Sequence, residues 1–263
     1  MMAVPLSLDA RARILQVALL ATLLIIWESG VRTGWLALLV PNPTFWFSSP
    51  SAIAALFWRL VENGQLLNHV WLTVSATLIG LALGALIGTA IGMVMASAPR
   101  LEKLFDPIWS ALNSLPKIAL APAFAAALGI GISSKSALAV TIVMFVFLFN
   151  TVAGLRGIDP VHLANLRLMG ASRWQIARMV MLPTLARWHY GALRISLGLA
   201  LTAVVVGEFV AARGGIGFII QYGFGTFNVT WCYVGIVILG LLAVALDALL
   251  HLGQRQLTPW EGV

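Results

Sequence analysis

The sequence is short of charge, and that scarcity decides its solvent. Only 10% of its 263 residues are Asp, Glu, Lys or Arg, while 60% are hydrophobic. A water-soluble domain carries about 25% charged residues. A chain so poor in polar groups cannot cover its surface in water, so a bilayer must solvate much of it. Cysteine is almost absent. The single Cys232 lies inside an apolar run, which excludes an internal disulfide framework and a Cys-ligated metal site. There is no G-x-x-x-x-G-K-S/T phosphate loop, so the chain does not bind ATP by that route. H-E-x-x-H and G-x-S-x-G are missing too, and the four histidines (His69, His162, His189, His251) are scattered. No residues are visible that would make it an enzyme. The net charge of +7 would suit nucleic acid, but the basic residues sit in short gaps between apolar runs. That placement fits the positive-inside bias and excludes a nucleic-acid partner.

What is present is a series of apolar runs near the length of about 20 residues that spans a bilayer. They fall at Ile14–Val31, Leu66–Ala96, Phe105–Leu128, Ala137–Leu155, Tyr190–Ala212 and Trp231–Leu252. The pattern predicts an all-α polytopic membrane bundle of about six transmembrane helices. Arg11 and Arg13 precede the first run without a following A-x-A site, which reads as an uncleaved first helix. The stretch Pro50–Asn63 is too short and too charged to span and reads as an interfacial helix. The expected organisation is an N-terminal span plus interfacial helix over residues 1–63 and a core over 64–263. Arg11, Arg13, Arg100, Lys103, Arg156, Arg167, Arg173, Arg178, Arg187 and Arg255 fall on one side, against Arg32, Arg59, Lys135 and Arg213 on the other. That bias puts both termini in the cytoplasm.

Three features inside the runs stand out. Ala76, Gly80, Gly84, Gly88, Gly92 and Ala96 recur every four residues, a smooth stripe that admits a close helix neighbour and reads as packing rather than pore. Pro116 and Pro122 should break or kink the third run. Lys117, beside the break, is either a pathway residue or a cation snorkelling to the interface. Glu28, Asp106, Glu208 and Asp247 also need accounts, because a charge at mid-bilayer costs about 2.5–3.5 kcal/mol. Asp106 reads as solvated, and Glu28 and Asp247 as paired or facing the bundle. Glu208 precedes the Gly214–Gly217 turn. It is either a gate or pathway residue or a snorkelling carboxylate paired with Arg213 or Lys135. Phe218–Phe227 reads as a short re-entrant or interfacial helix.

The most polar stretch is the loop 157–187. Asp159-Pro160 signals a helix start, Gly170 interrupts that helix, and Ser172 can cap a second one that ends at Pro183. Its mixed apolar and basic faces need either lipid headgroups or a protein partner to cover them.

This loop resembles the EAA loop of ABC-transporter permeases, in which E-A-A, three residues, Gly, nine residues and I-x-L-P follow in order. Gly170 is the Gly, Val180 stands at the Ile, and Leu182-Pro183 is the L-P. Ala164-Asn165-Leu166 stand where E-A-A is usual, so the Glu is missing. Asn150–Gly154, Pro50-Ser51-Ala52, Leu115–Pro122, Gly129–Gly131 and Gly207-Glu208 with Gly214–Gly217 are similar to the nitrate/sulfonate/taurine branch. The resemblance implies a permease subunit of a binding-protein-dependent importer in the cell inner membrane. Ala164, Asn165, Leu166, Arg167, Gly170, Ala171, Ser172, Arg173, Val180, Leu182 and Pro183 would dock the ATPase. ATP and Mg would be bound by that partner, with no cofactor in this chain. The other implied partners are a second permease subunit, expected to form a homodimer, and an extracytoplasmic substrate-binding protein. The cargo would be a small solute of the sulfonate, nitrate or taurine kind. An ion-coupled secondary transporter is the rival, and it would need a carboxylate or His relay at the midplane.

Overall fold

The computed structural model describes residues 8–40 and 42–257; the side chains of Arg11 and Arg255 lie outside that description. Among the described residues twelve α-helices follow in order: α1 Leu8–Thr33, α2 Pro43–Trp46, α3 Pro50–Glu62, α4 Gln65–Ser97, α5 Pro99–Ser114, α6 Ala121–Leu128, α7 Ile132–Arg156, α8 Pro160–Leu168, α9 Arg173–Ile176, α10 Leu182–Val210, α11 Ile216–Gly225 and α12 Val229–Leu257. No strand occurs among the described residues. Among the described residues, five helical stretches are long and apolar enough to cross a membrane, and α5 with the segment Lys117–Leu128 supplies a sixth if that bent pair is one span.

The chain divides into two units. The first draws on Met1–Leu66 and Ile219–Val237, the second on Leu67–Phe218 and Ile238–Val263. In the first, Ser49 caps α3 by accepting from the Ala52 N–H, and Pro50 takes the first helical position, where its missing N–H is harmless. Glu28 of α1 pairs with Arg32 and accepts from the Ser51 N–H (3.0 Å) and hydroxyl (2.7 Å). The expected pairing of Glu28 is therefore present, and it fastens α1 to α3.

The second unit is built on α7 packed against α10, with α6 against both. Leu138, Ala139, Val143, Phe147, Ala200, Ala203 and Val204 form its core. The glycine stripe of α4 lies on α7. A Cβ on Gly80 would stand 2.5 Å from Ala139 Cβ, on Gly84 2.7 Å from Val143 Cβ, on Gly88 2.2 Å from the Met144 carbonyl oxygen, and on Gly92 2.6 Å from Thr151 Cβ. Lipid tails are as apolar as side chains, so helices associate in a bilayer through such close packing rather than through hydrophobic exclusion. Ser136 of α7 donates to the Ala76 carbonyl at 3.0 Å and fixes the register of the two helices. Asp247 of α12 accepts from Arg194 Nε at 3.0 Å and from its Nη2 at 3.3 Å.

Two expectations at prolines need correction. The third run is two segments bent by 76°, and the break falls at Pro116 alone. Pro122 sits in the first turn of α6, where no intrahelical donor is needed, and breaks nothing. The helix that begins at Arg173 does not end at Pro183. A π-turn over Ala177–Met181 carries it into α10, so Arg173–Val210 is one continuous apolar stretch. Pro183 cannot donate to the carbonyl four residues back, and the wider turn before it absorbs the lost bond and the ring clash.

Candidate functional site

The loop between α7 and α10 is ordered by local capping. Asp159 accepts from the Val161 N–H at 2.8 Å and starts α8. At its end the Gly170 N–H bonds the Arg167 carbonyl and the Ala171 N–H bonds the Leu166 carbonyl, both at 3.0 Å. This is the Schellman arrangement, which needs a left-handed residue after the helix. Gly170 supplies it with φ +79°. Ser172 then accepts from the Gln175 N–H while the Gln175 side chain accepts from the Ser172 N–H. That reciprocal box starts α9.

The caps hold a surface that this chain leaves uncovered. Leu168 is 86% exposed, Met169 83%, Trp174 69% and Met179 70%. Ala164, Asn165, Arg167, Ser172, Arg173, Leu182 and Pro183 are exposed as well; Leu166, Ala171 and Val180 are half-buried. Arg167, Arg173 and Arg178 make no ion pair among the described residues. A groove of about 690 Å³ runs beside the loop, lined by Gly157, Asp159, His162, Val180, Pro183, Arg187 and Trp188 among others. Arg156, at the end of α7, pairs with Glu102 of α5, which anchors the root of the loop.

Lys117 lies at the break between α5 and α6. Its ammonium donates to the Asn113 carbonyl (2.5 Å) and side-chain oxygen (3.0 Å), and stands 4.7 Å from the Phe145 ring centroid. It thus satisfies a carbonyl at the open end of α5.

Glu208 is 2% exposed, and this corrects the snorkelling alternative. Neither Arg213 nor Lys135 forms an ion pair with it. Its carboxylate accepts from the Thr73 hydroxyl (2.8 Å) and the Gly217 N–H (2.7 Å). Thr73 accepts from the Ile216 N–H at 2.9 Å, and His69 Nδ1 from the Gly215 N–H at 3.0 Å. Three side chains from α4 and α10 therefore satisfy three consecutive donors at the start of α11, which a helix N-terminus cannot satisfy itself. Gly215 has φ +107°, and a Cβ there would stand 2.1 Å from a Glu208 oxygen, so only glycine fits. Sequence reasoning missed His69 and Thr73. Their four-residue spacing on α4 placed them on one helix face, but nothing local tied that face to a turn over a hundred residues away.

The family model described as binding-protein-dependent transport system inner membrane component matches residues 80–261. The riboflavin transport system permease protein RibX of Chloroflexus aurantiacus is 34% identical over 92% of this chain and 88% of its own length. The taurine transport system permease protein TauC of Escherichia coli is 30% identical over 94% and 90%. Among solved structures, an inward-facing conformation of the MetNI methionine ABC transporter superposes with TM-score 0.62 at 24% identity, covering 74% of this chain and 94% of that one.

Proposed function

Because the chain belongs to the family of binding-protein-dependent transport system inner membrane components, we propose that its helix–Gly170–helix loop is the surface on which the transporter's ATPase docks. The chain is a multi-pass inner-membrane permease subunit of an ABC importer, a transport component rather than an enzyme, and it works with an ATPase and a substrate-binding protein. Family membership displaces the ion-coupled secondary transporter. One observation carries the docking assignment: the large apolar side chains Leu168, Met169 and Trp174 stand exposed around a turn that a Schellman motif and the Ser172 capping box order. An apolar face of that kind needs a partner surface. Asn165, Leu166, Arg167, Ala171, Ser172 and Arg173 flank the turn, Val180, Leu182 and Pro183 edge the neighbouring groove, and Ala164 leaves out one acidic contact.

In this reading the loop and both termini are cytoplasmic, as the clustering of basic residues supports. Residues 64–263 act as the permease core, and two copies of the chain form the pathway. ATP and Mg sit on the ATPase subunits, and this chain holds no cofactor. Closure of the ATPases biases the inward- and outward-open states through differential contact with the loop. Lys117, at the broken span, and Glu208 are the two candidate pathway or gate residues, although the Lys117 ammonium also satisfies the Asn113 carbonyl at the end of α5. Glu208 pins α11 to α4 and α10, which makes it an anchor for the end of the bundle remote from the loop.

The cargo is a small anionic solute of the sulfonate, nitrate or taurine kind. A flat heteroaromatic cargo is the second reading, favoured by the identity to a riboflavin permease. Gly170→Pro tests the docking role, because a proline cannot adopt the positive φ of this turn. The expected result is loss of ATPase co-purification and of ATP-driven uptake with membrane insertion intact. Normal uptake in this variant refutes the assignment.

A further inference from the structure

The helix α5 has two sides that the described residues leave uncovered. Lys103, Asp106, Ser110, Asn113 and Ser114 lie on one side at helical spacing, and all are exposed. Leu101, Leu104, Ile108 and Leu112 lie on another, between 39% and 63% exposed. The third side, with Glu102, Phe105 and Trp109, is half-buried.

An amphipathic helix at a bilayer has two places to go. It can lie flat in the interface with its polar side in bulk water. It can also run across, and its polar side must then meet water inside the protein, because hydrocarbon cannot satisfy it. The contacts of α5 with α7 decide between them. Glu102, near the start of α5, pairs with Arg156 at the loop end of α7. Trp109, farther along, meets the edge of Phe145 at a centroid distance of 6.2 Å. Lys117, just past the end of α5, stands 4.7 Å from the centroid of the same ring. Phe145 is midway along α7, a helix of 25 residues. Such a helix is about 37 Å long against a hydrocarbon core of about 30 Å, so its midpoint lies deep in the bilayer. The chain from Glu102 to Lys117 therefore climbs along α7 from its loop end to its middle, which a helix lying flat would not do.

Asp106, Ser110 and Asn113 thus stand exposed at membrane depth. The backbone adds a second demand for water on the same helix. Pro107 lies inside α5 and has no N–H, so the Lys103 carbonyl loses its helical donor. At the far end Lys117 donates to the Asn113 carbonyl and side-chain oxygen.

We propose that the Asp106–Ser110–Asn113 face of α5 lines the hydrated inner half of the translocation route, from the cytoplasmic mouth up to Lys117. The side with Leu101, Leu104, Ile108 and Leu112 faces lipid. Ser110 and Asn113 are neutral and offer both donors and acceptors, so they pass a polar solute along by hydrogen bonds without trapping it. The proposal rests on the reading of the chain as a permease subunit and names the surface its cargo follows.

The test is cysteine scanning of the full permease–ATPase complex in inside-out vesicles. The native thiol is first removed as Cys232→Ser, which keeps a donor for the Ile220 carbonyl. Ser110→Cys and Asn113→Cys then probe the polar side, and Ile108→Cys and Leu112→Cys probe the apolar side at the same depth, all at exposed positions. A membrane-impermeant cationic methanethiosulfonate should label the first pair at least about tenfold faster, because hydrocarbon excludes both the thiolate and the charged reagent. Labelling of Ser110→Cys should block ATP-driven uptake. Trapping the ATPases with ATP and vanadate should slow that labelling, since their closure shifts the permease to its outward-open state. Equal labelling of the two sides overturns the proposal. So does labelling of the polar pair that leaves uptake intact and ignores vanadate, which is the behaviour of a helix lying flat in bulk water. Uptake by the unlabelled complex that needs no ATP, with the labelling pattern intact, instead overturns the permease reading and leaves the hydrated face standing.

Discussion

The seam between α4 and α7 and the loop around Gly170 both depend on glycine, for opposite reasons. At Gly88 the backbone torsions are those of an ordinary helix, and the constraint is space: a Cβ would stand 2.2 Å from the Met144 carbonyl oxygen and 2.9 Å from Phe147 Cβ. At Gly170 nothing lies within 4 Å of a built Cβ, and the constraint is the torsion, φ +79°. One glycine lets two helices touch, and the other lets a chain reverse. The seam is a finished interface inside this chain. The loop, with Leu168 and Met169 more than four-fifths exposed, is half of an interface.

The largest effect that would break this contrast is expected at the seam. Gly88→Val should push α4 off α7, because the contact is a backbone carbonyl and not the flexible end of a side chain. Overpacking costs typically about 1–3 kcal/mol, occasionally more, and the seam is at the upper end. The yield of folded permease in detergent should collapse, and uptake with it. A well-folded Gly88→Val protein would show that the stripe is not tightly packed.

Next in size is Trp174→Ala in the loop. Trp174 is 69% exposed, so its removal should change stability by less than about 0.5 kcal/mol. A tryptophan at a docking centre commonly contributes about 2 kcal/mol, so ATPase affinity should fall roughly 30-fold. Thermal unfolding of the permease and titration of the ATPase, measured on the same variant, separate the two regions: seam variants move the first, loop variants the second. A drop in melting temperature with unchanged affinity would place Trp174 in the fold instead.

Alanine at both glycines sharpens the comparison. Gly170→Ala meets open space and only the torsional penalty of a left-handed residue, roughly 1–2 kcal/mol. Gly88→Ala carries the same single added carbon into a carbonyl oxygen. The first variant should assemble and transport with reduced coupling, and the second should misassemble. If the two alanines behave alike in a folding assay, the distinction between space and torsion is wrong.

These regions also differ in how far the sequence revealed them. The four-residue repeat of Ala76 to Ala96 is a pattern along one helix, so the close-packed face was legible before α7 was known to fill it. The Asp159 cap, Ser172 and Gly170 are local signals too, and the loop's shape followed from them. Pro183 misled because a proline's local effect is to stop a helix. The π-turn at Ala177–Met181 that lets this one continue is a backbone adjustment that no residue type announces. Glu208 misled for a different reason. Its partners Thr73 and Gly217 come from different elements, and burial made by tertiary assembly leaves no mark beside the residue. Lys135 likewise counted among loop charges, although it is 5% exposed.

The smallest expected effect lies in the packed region and tests how complete its packing is. Ser196 of α10 is fully buried, and its hydroxyl has no hydrogen-bond partner among the described residues. A buried, unsatisfied hydroxyl carries a desolvation cost of about 1–3 kcal/mol, and its removal relieves that cost without opening a large cavity. Ser196→Ala should therefore leave the permease unchanged or raise its stability by about 0.5–1 kcal/mol, a change of a few degrees in melting temperature for a protein this size. The contrast with Trp174 is then complete: a buried side chain can go without loss, while an exposed one cannot. If Ser196→Ala lowers the melting temperature of the isolated permease, the hydroxyl has an acceptor within this chain.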